Sequence, residues 1–168
     1  SERNIGIMLL KEVSTFAESS ISRRKYLLSY FGEKYDPNIN DDNEMDDNSK
    51  NEKEKINVKD QLLFLLKNHF SNNKKILIRE IIKNLPFDEK NGIDEKFWRT
   101  IITYSIVEGI LEKDISDFTY VKISNSGKEF ISNPKEFYIS KDNDFSKTKK
   151  IENQSVKASV IDYDLFNK

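Results

Sequence analysis

Apolar residues recur at helical spacing in two stretches of the chain, separated by a polar interval. In the first, Ile5, Met8, Leu9, Val13, Phe16 and Ala17 predict a helix over 5–18. Ser19-Ser20 breaks that pattern and offers an N-cap, since a short side-chain oxygen can accept from the free N–H groups of a helix start. Arg23, Arg24, Leu27, Leu28 and Phe31 predict a second short helix, with Gly32 as its stop. Two short helices with a tight connection predict an antiparallel hairpin over 1–35. Residues 36–55 carry Asp, Asn, Glu, Ser and Lys with almost nothing apolar, and read as an exposed loop or linker.

The second stretch runs from Val58. Leu62, Leu63, Leu65, Leu66 and Phe70 make a broad apolar face on one helix, broken at Asn72-Asn73. Ile78, Ile81, Ile82 and Leu85 predict a second helix, ended before Pro86. Phe87 to Ile93 is a loop containing Asn91-Gly92. Asp94 then caps a third helix carrying Trp98, Ile101, Ile102, Tyr104, Ile106 and Val107, closed by Gly109. Two extended runs, Ile110–Asp114 and Thr119–Ile123, flank Ser116-Asp117 and predict a β-hairpin. Ser124 caps a last helical turn, Pro134 closes it, and Phe137-Tyr138-Ile139 reads as a strand. Three helices and then a hairpin is the order of a winged helix-turn-helix over 56–140. The expected class is mainly α with a small β wing (α+β), preceded by the helical hairpin. Residues 141–160 read as a polar linker.

Composition narrows the chemistry. With 36 % hydrophobic and 34 % charged residues and a net charge of −1, the 168-residue chain is not basic in bulk, so any nucleic-acid contact depends on local clusters. Having no cysteine excludes disulfides, thiolate catalysis and thiolate zinc sites. None of the five glycines forms a phosphate-cradling loop, so this chain alone is not expected to hydrolyse ATP. No apolar run reaches membrane-spanning length and no secretory segment opens the chain, which predicts a cytoplasmic protein. His69 has no carboxylate or nucleophile motif beside it, and a half-buried helix-end histidine is the plainer account.

The third helix is the candidate recognition helix, with Lys96, Arg99 and Thr103 at its exposed positions. Lys74, Lys75, Arg79, Lys83, Lys122 and Lys128 are further candidate phosphate contacts. Glu80, Asp88, Glu89, Glu108 and Glu112 nearly balance them, and a solvated mixed-charge surface explains most such residues. Phe118, at the wing tip, is placed to stack on an unpaired base, whereas Tyr120 is expected to point inward. Asp36-x-Asn38-x-Asn40 partly matches a calcium loop, but Asp41 stands where glycine is needed and Asp47 where a bidentate glutamate is needed. An acidic loop is the better account.

The stretch 16–33, with Ser22 followed by Arg23-Arg24-Lys25-Tyr26 and ending in Tyr30-Phe31-Gly32-Glu33, resembles the zinc-binding segment of RecQ-type DNA helicases. Ser22 stands where that family has its first zinc cysteine. The other three cysteines are absent as well, so zinc is not expected in this chain. Residues 56–140 resemble the RQC winged helix of the same helicases. Asp94-Glu95-Lys96-Phe97-Trp98-Arg99-Thr100-Ile101-Ile102, Glu108-Gly109-Ile110-Leu111 and the run Tyr120–Ile131 carry that likeness, while the loop before the third helix is cut down to Phe87–Gly92. Residues 161–168 resemble the opening of an HRDC domain.

The resemblance implies the DNA-binding C-terminal region of an ATP-dependent 3′–5′ helicase of DNA repair, recombination and replication, associated with the nucleoid. Its ATPase motor, with ATP and magnesium, would precede Ser1, and HRDC would follow Lys168. The implied partners are DNA (duplex, forked or single-stranded junctions) and those domains in cis. Carried over by position, the implied DNA contacts are Arg23, Arg24, Lys96, Arg99, Lys122, Ser124 and Lys128, joined by Phe118. A winged helix used for protein interaction, or a stand-alone transcriptional regulator, is the alternative.

Overall fold

The computed structural model of the chain describes residues 2–33, 35, 36, 48, 54–70, 74–114, 117 and 119–142. A helical hairpin comes first: α1 (Glu2–Glu18) and α2 (Arg23–Tyr30). The cap of α2 is Ser22, whose hydroxyl accepts from the Lys25 N–H at 3.3 Å, and not Ser19 or Ser20. Those two serines are buried in the turn, where the Ser19 hydroxyl accepts from the Ile21 N–H at 3.1 Å. Gly32 follows with φ 78°, the left-handed conformation that favours glycine at a helix stop.

The second unit is built from β1 (Lys55–Asn57), α3 (Lys59–His69), β2 (Ile76–Leu77), α4 (Ile78–Lys83), α5 (Glu95–Val107), β3 (Leu111–Lys113), β4 (Tyr120–Ile123), α6 (Asn125–Ser132) and β5 (Tyr138–Ser140), with a 3₁₀ turn at Glu89–Asn91. The Asp94 side chain caps α5, accepting from the Phe97 N–H at 2.7 Å. Trp98, Ile101, Ile102 and Ser105 follow at i, i+3, i+4 and i+7, and all four are buried. They meet Leu62, Leu65 and Leu66 of α3 and Ile81 and Ile82 of α4 in one core. Each large apolar side chain buried there contributes about 1.5–3 kcal/mol. The Trp98 indole N–H donates to the Pro86 carbonyl at 2.8 Å, so its polar edge is satisfied inside that core.

The wing is more than the predicted hairpin. β3 and β4 pair antiparallel with Glu112 opposite Lys122, and β2 adds to the other edge of β4, giving the order β2-β4-β3. Two residues are too few to show a period-2 pattern, which is why β2 escapes a sequence reading. β1 escapes a strand reading as well: Lys55 closes the stretch read as linker, Ile56 and Asn57 open the unit, and all three are exposed. It pairs with β5, Lys55 opposite Ser140, and so joins the entry and exit of the unit. Helix, strand, helix, helix and a two-stranded wing make this an α+β winged helix. The acidic stretch from 37 to 47 and the stretch from 143 to 168, with its linker and HRDC-like end, lie outside the described residues.

Candidate nucleic-acid interface

The outward side of α5 is only partly open to solvent, because the helical hairpin lies against it. The Lys96 ammonium pairs with Glu18 of α1 at 2.9 Å. Arg99 is held within its own helix by Glu95 at 2.6 Å, and Thr103 lines a cleft beneath α1. Two further ion pairs join the units: Lys113 with Glu12 at 2.9 Å and Lys25 with Glu108 at 2.6 Å. Sequence predicts Lys96, Arg99 and Thr103 as the exposed surface of a recognition helix. The structure keeps them on that side of α5 but turns it toward carboxylates of its own chain. Nothing in the periodicity of either helix signals this, since an ion pair between distant segments leaves no local pattern.

A hydrogen-bonded knot fastens the same junction. The Ser20 hydroxyl lies 2.9 Å from the Tyr104 hydroxyl and 3.0 Å from the Ser140 carbonyl, and the Ser140 N–H donates to Tyr104 at 3.1 Å. The Ser20 N–H donates to Asp142 Oδ1 at 3.2 Å, and Asp142 Oδ2 lies 2.5 Å from the Thr100 hydroxyl. Burial pushes the Asp142 carboxyl above its ordinary range, opposed by the bonds from Thr100 and Ser20 and by the Lys96 charge. Thr100 has one hydroxyl proton, yet the Lys96 carbonyl also lies within reach at 2.9 Å. That one proton can serve only one of the two acceptors at a time. Close by, burial and then the Glu12 and Asp142 charges push the Tyr26 phenol up. Asp142 sits in what sequence reads as a linker, and only the fold brings it to Ser20.

The position of the family's first zinc ligand is filled by a helix cap, Ser22. Nearby, the Asn48 side-chain amide donates to the Ser19 and Ile21 carbonyls, both at 2.9 Å, and closes the hairpin turn by hydrogen bonds. Zinc sites of that type need thiolates or imidazoles, and this donor set of hydroxyl and amide does not fit one.

The other sequence-derived candidates divide. The Arg23 guanidinium donates to the Phe16 and Ala17 carbonyls and lies 4.9 Å over the Phe16 ring, which commits it to holding α1 against α2. Arg24 is exposed. Ser124 is buried: its hydroxyl donates to the Gly109 or Ile110 carbonyl at 2.6 and 2.9 Å and accepts from the Gly127 N–H at 3.0 Å, so it caps α6 and braces the wing instead of facing outward. Lys122 pairs with Glu112 across the wing at 3.0 Å and keeps 45 % of its side chain exposed. Lys128 is exposed on α6. Phe118 lies outside the described residues, and Tyr120 is half-buried. Lys75 pairs with Asp114 at the wing edge. Burial lowers the pKa of His69, which sits at the end of α3.

The three-helix core and the β2-β4-β3 sheet define a winged helix, with Lys122 on the wing and Lys128 exposed beside it. Residues 71–148 match the family model of the RQC domain. Over that stretch the chain is similar to the RQC domain, a DNA-binding module of the C-terminal region of RecQ-type helicases. The match begins after α3, so the helical hairpin lies outside it. Neither a search of curated proteins nor one of solved structures gives a match. Among the described residues no helix is long and apolar enough to cross a membrane.

Proposed function

We propose that this chain engages duplex DNA at a junction with its wing leading, and helps part the strands for a RecQ-type helicase motor acting in DNA repair, recombination and replication. The observation that carries this reading is an RQC match over a winged helix whose recognition helix is partly covered, while Lys122 and Lys128 stand at the wing and on α6. A partly covered α5 leaves backbone contacts from the wing side as the route to DNA, and backbone contacts position a protein without reading sequence. ATP hydrolysis belongs to the motor and not to these residues. The outer side of α1, with Leu10 67 % and Val13 62 % exposed, suits contact with that motor in cis.

Fluorescence anisotropy with a forked duplex across a salt series tests the proposal. Binding should weaken with salt. Lys122→Gln with Lys128→Gln should lower affinity and reduce the salt slope by roughly 1.8, two phosphate contacts at about 0.9 each. A slope unchanged by that double substitution refutes wing-led engagement.

A further inference from the structure

We propose that the cleft between the helical hairpin and the wing holds a single DNA strand, receiving one strand of a duplex parted at the wing. The inference rests on the wing-led reading above and extends it to a second site. The cleft has a volume of about 880 Å³, within the range of roughly 300–1,000 Å³ usual for ligand sites. Its floor is apolar, made by Leu77 at the start of α4 and by Ile102, Ile106 and Val107 of α5. Ile7 and Leu9 of α1 form the opposite wall and remain 48 % and 56 % exposed, so the two walls do not close on each other.

Three tyrosines line this slot, Tyr26 and Tyr30 of α2 and Tyr120 of β4; Tyr26 is buried, and Tyr30 and Tyr120 are half-buried. The Lys113 ammonium sits 5.1 Å over the Tyr30 ring while paired to Glu12, and Arg99 is held by Glu95. Those charges are spent within the protein. Lys11 on α1 and Arg79 on α4 are different: both are exposed on opposite walls, with no ion-pair partner among the described residues. They outweigh Asp117, whose carboxylate accepts from the Thr119 N–H at 3.0 Å and hydroxyl at 2.6 Å.

An apolar slot with tyrosine rings and spare cations on both sides matches the chemistry of an unpaired strand, which offers base faces to stack and phosphates to neutralise. Paired bases keep their faces stacked away, and an apolar peptide has no use for the two cations. Asp117, Thr119 and Tyr120 all line the cleft, so it opens at the wing itself. A strand lifted off its complement there has an adjacent place to go.

The test uses the whole chain, a fluorescein-labelled oligothymidylate and a blunt duplex. Lys11→Gln with Arg79→Gln, both at exposed positions, should weaken oligothymidylate binding about tenfold and cut its salt slope by roughly 1.4, two contacts at about 0.7 each for single strands. Duplex affinity should not change. An oligothymidylate carrying one 5-iododeoxyuridine should photocrosslink to Tyr30 or Tyr120. Unchanged oligothymidylate affinity in the double variant, or crosslinks confined to residues outside the cleft, overturns the proposal. So does a cleft filled by a second copy of the chain, seen as a dimer in sedimentation that oligothymidylate does not dissociate. If Lys122→Gln with Lys128→Gln leaves duplex binding intact while the cleft variant still loses oligothymidylate, the wing reading falls and the single-strand site stands.

Discussion

The winged-helix unit and the helical hairpin are both made of amphipathic helices, yet they are held by different forces. In the winged helix, Leu62, Leu65, Leu66, Ile81 and Ile101 are fully buried and share one core with Trp98. In the hairpin, Leu10 and Val13 face outward, and α1 is attached to α5 and the wing by Glu12, Glu18 and the Ser20 knot. Apolar burial is non-directional and persists in salt, whereas ion pairs at a partly exposed seam are weak and screened. One sequence therefore builds a unit held by its apolar core and an arm attached to it largely by polar contacts.

Trp98→Ala should break the first half of that contrast most severely, costing about 3–5 kcal/mol because it empties a site in a close-packed core. Val13→Ala on α1 should change stability by less than about 0.5 kcal/mol. Urea titrations of the two variants check the difference, and equal losses would erase the distinction.

Gly127→Ala should cost about 1–3 kcal/mol. A Cβ there would lie 2.4 Å from the Ile110 carbonyl oxygen and 2.7 Å from Ile123 Cγ1, and a backbone carbonyl cannot easily give way. A midpoint equal to that of the parent chain would show that α6 is free to shift on the wing base.

Asp142→Asn sharpens the seam's side of the comparison. A carboxyl whose folded pKa is raised above the unfolded 3.8 contributes stability that is complete below that value and is lost as pH rises through the folded pKa. An asparagine amide can still donate to Thr100 and accept from Ser20 without acquiring charge. The variant should therefore gain about 1 kcal/mol on the parent at neutral pH and lose that advantage in acid. Melting curves that run parallel from acid to neutral pH would contradict a raised Asp142 pKa.

Glu18→Gln is expected to have the smallest effect on stability, under about 1 kcal/mol, since both partners in its ion pair are more than 40 % exposed. Its signature should be faster amide exchange across α1 with no change in α3 or α5. Uniform protection would mean that α1 is not a separable unit.

The legible and illegible parts of this molecule divide along the same seam. Helical spacing reveals α3, α4 and α5 because each buries a stripe of its own residues. Asp94 reveals the start of α5 because capping is a local act. The Tyr30-Phe31-Gly32-Glu33 and Arg23-Arg24 segment carries the family likeness, yet Arg23 spends its guanidinium on the carbonyls of α1. What stays hidden depends on partners far apart in the chain. Ser20 meets Asp142 across 122 residues and Glu12 meets Lys113 across 101. Ser124 looks like an exposed wing residue and is a brace, because the sequence does not show that the Gly109 and Ile110 carbonyls converge on it.

The pairing of β1 with β5 decides how the domain would respond to being pulled. Lys55 and Ser140 lie opposite each other in an antiparallel pair, so the chain enters and leaves the unit side by side. Tension applied through the neighbouring segments would act across the hydrogen bonds one pair at a time, starting with Lys55 and Ser140 and moving to Ile56 and Ile139. Peeling open in this order takes far less force than shearing all the bonds together. Under load the first event would be the yielding of three residue pairs at the neck of the domain, a mechanical fuse that gives slack while the helices around Trp98 keep their shape.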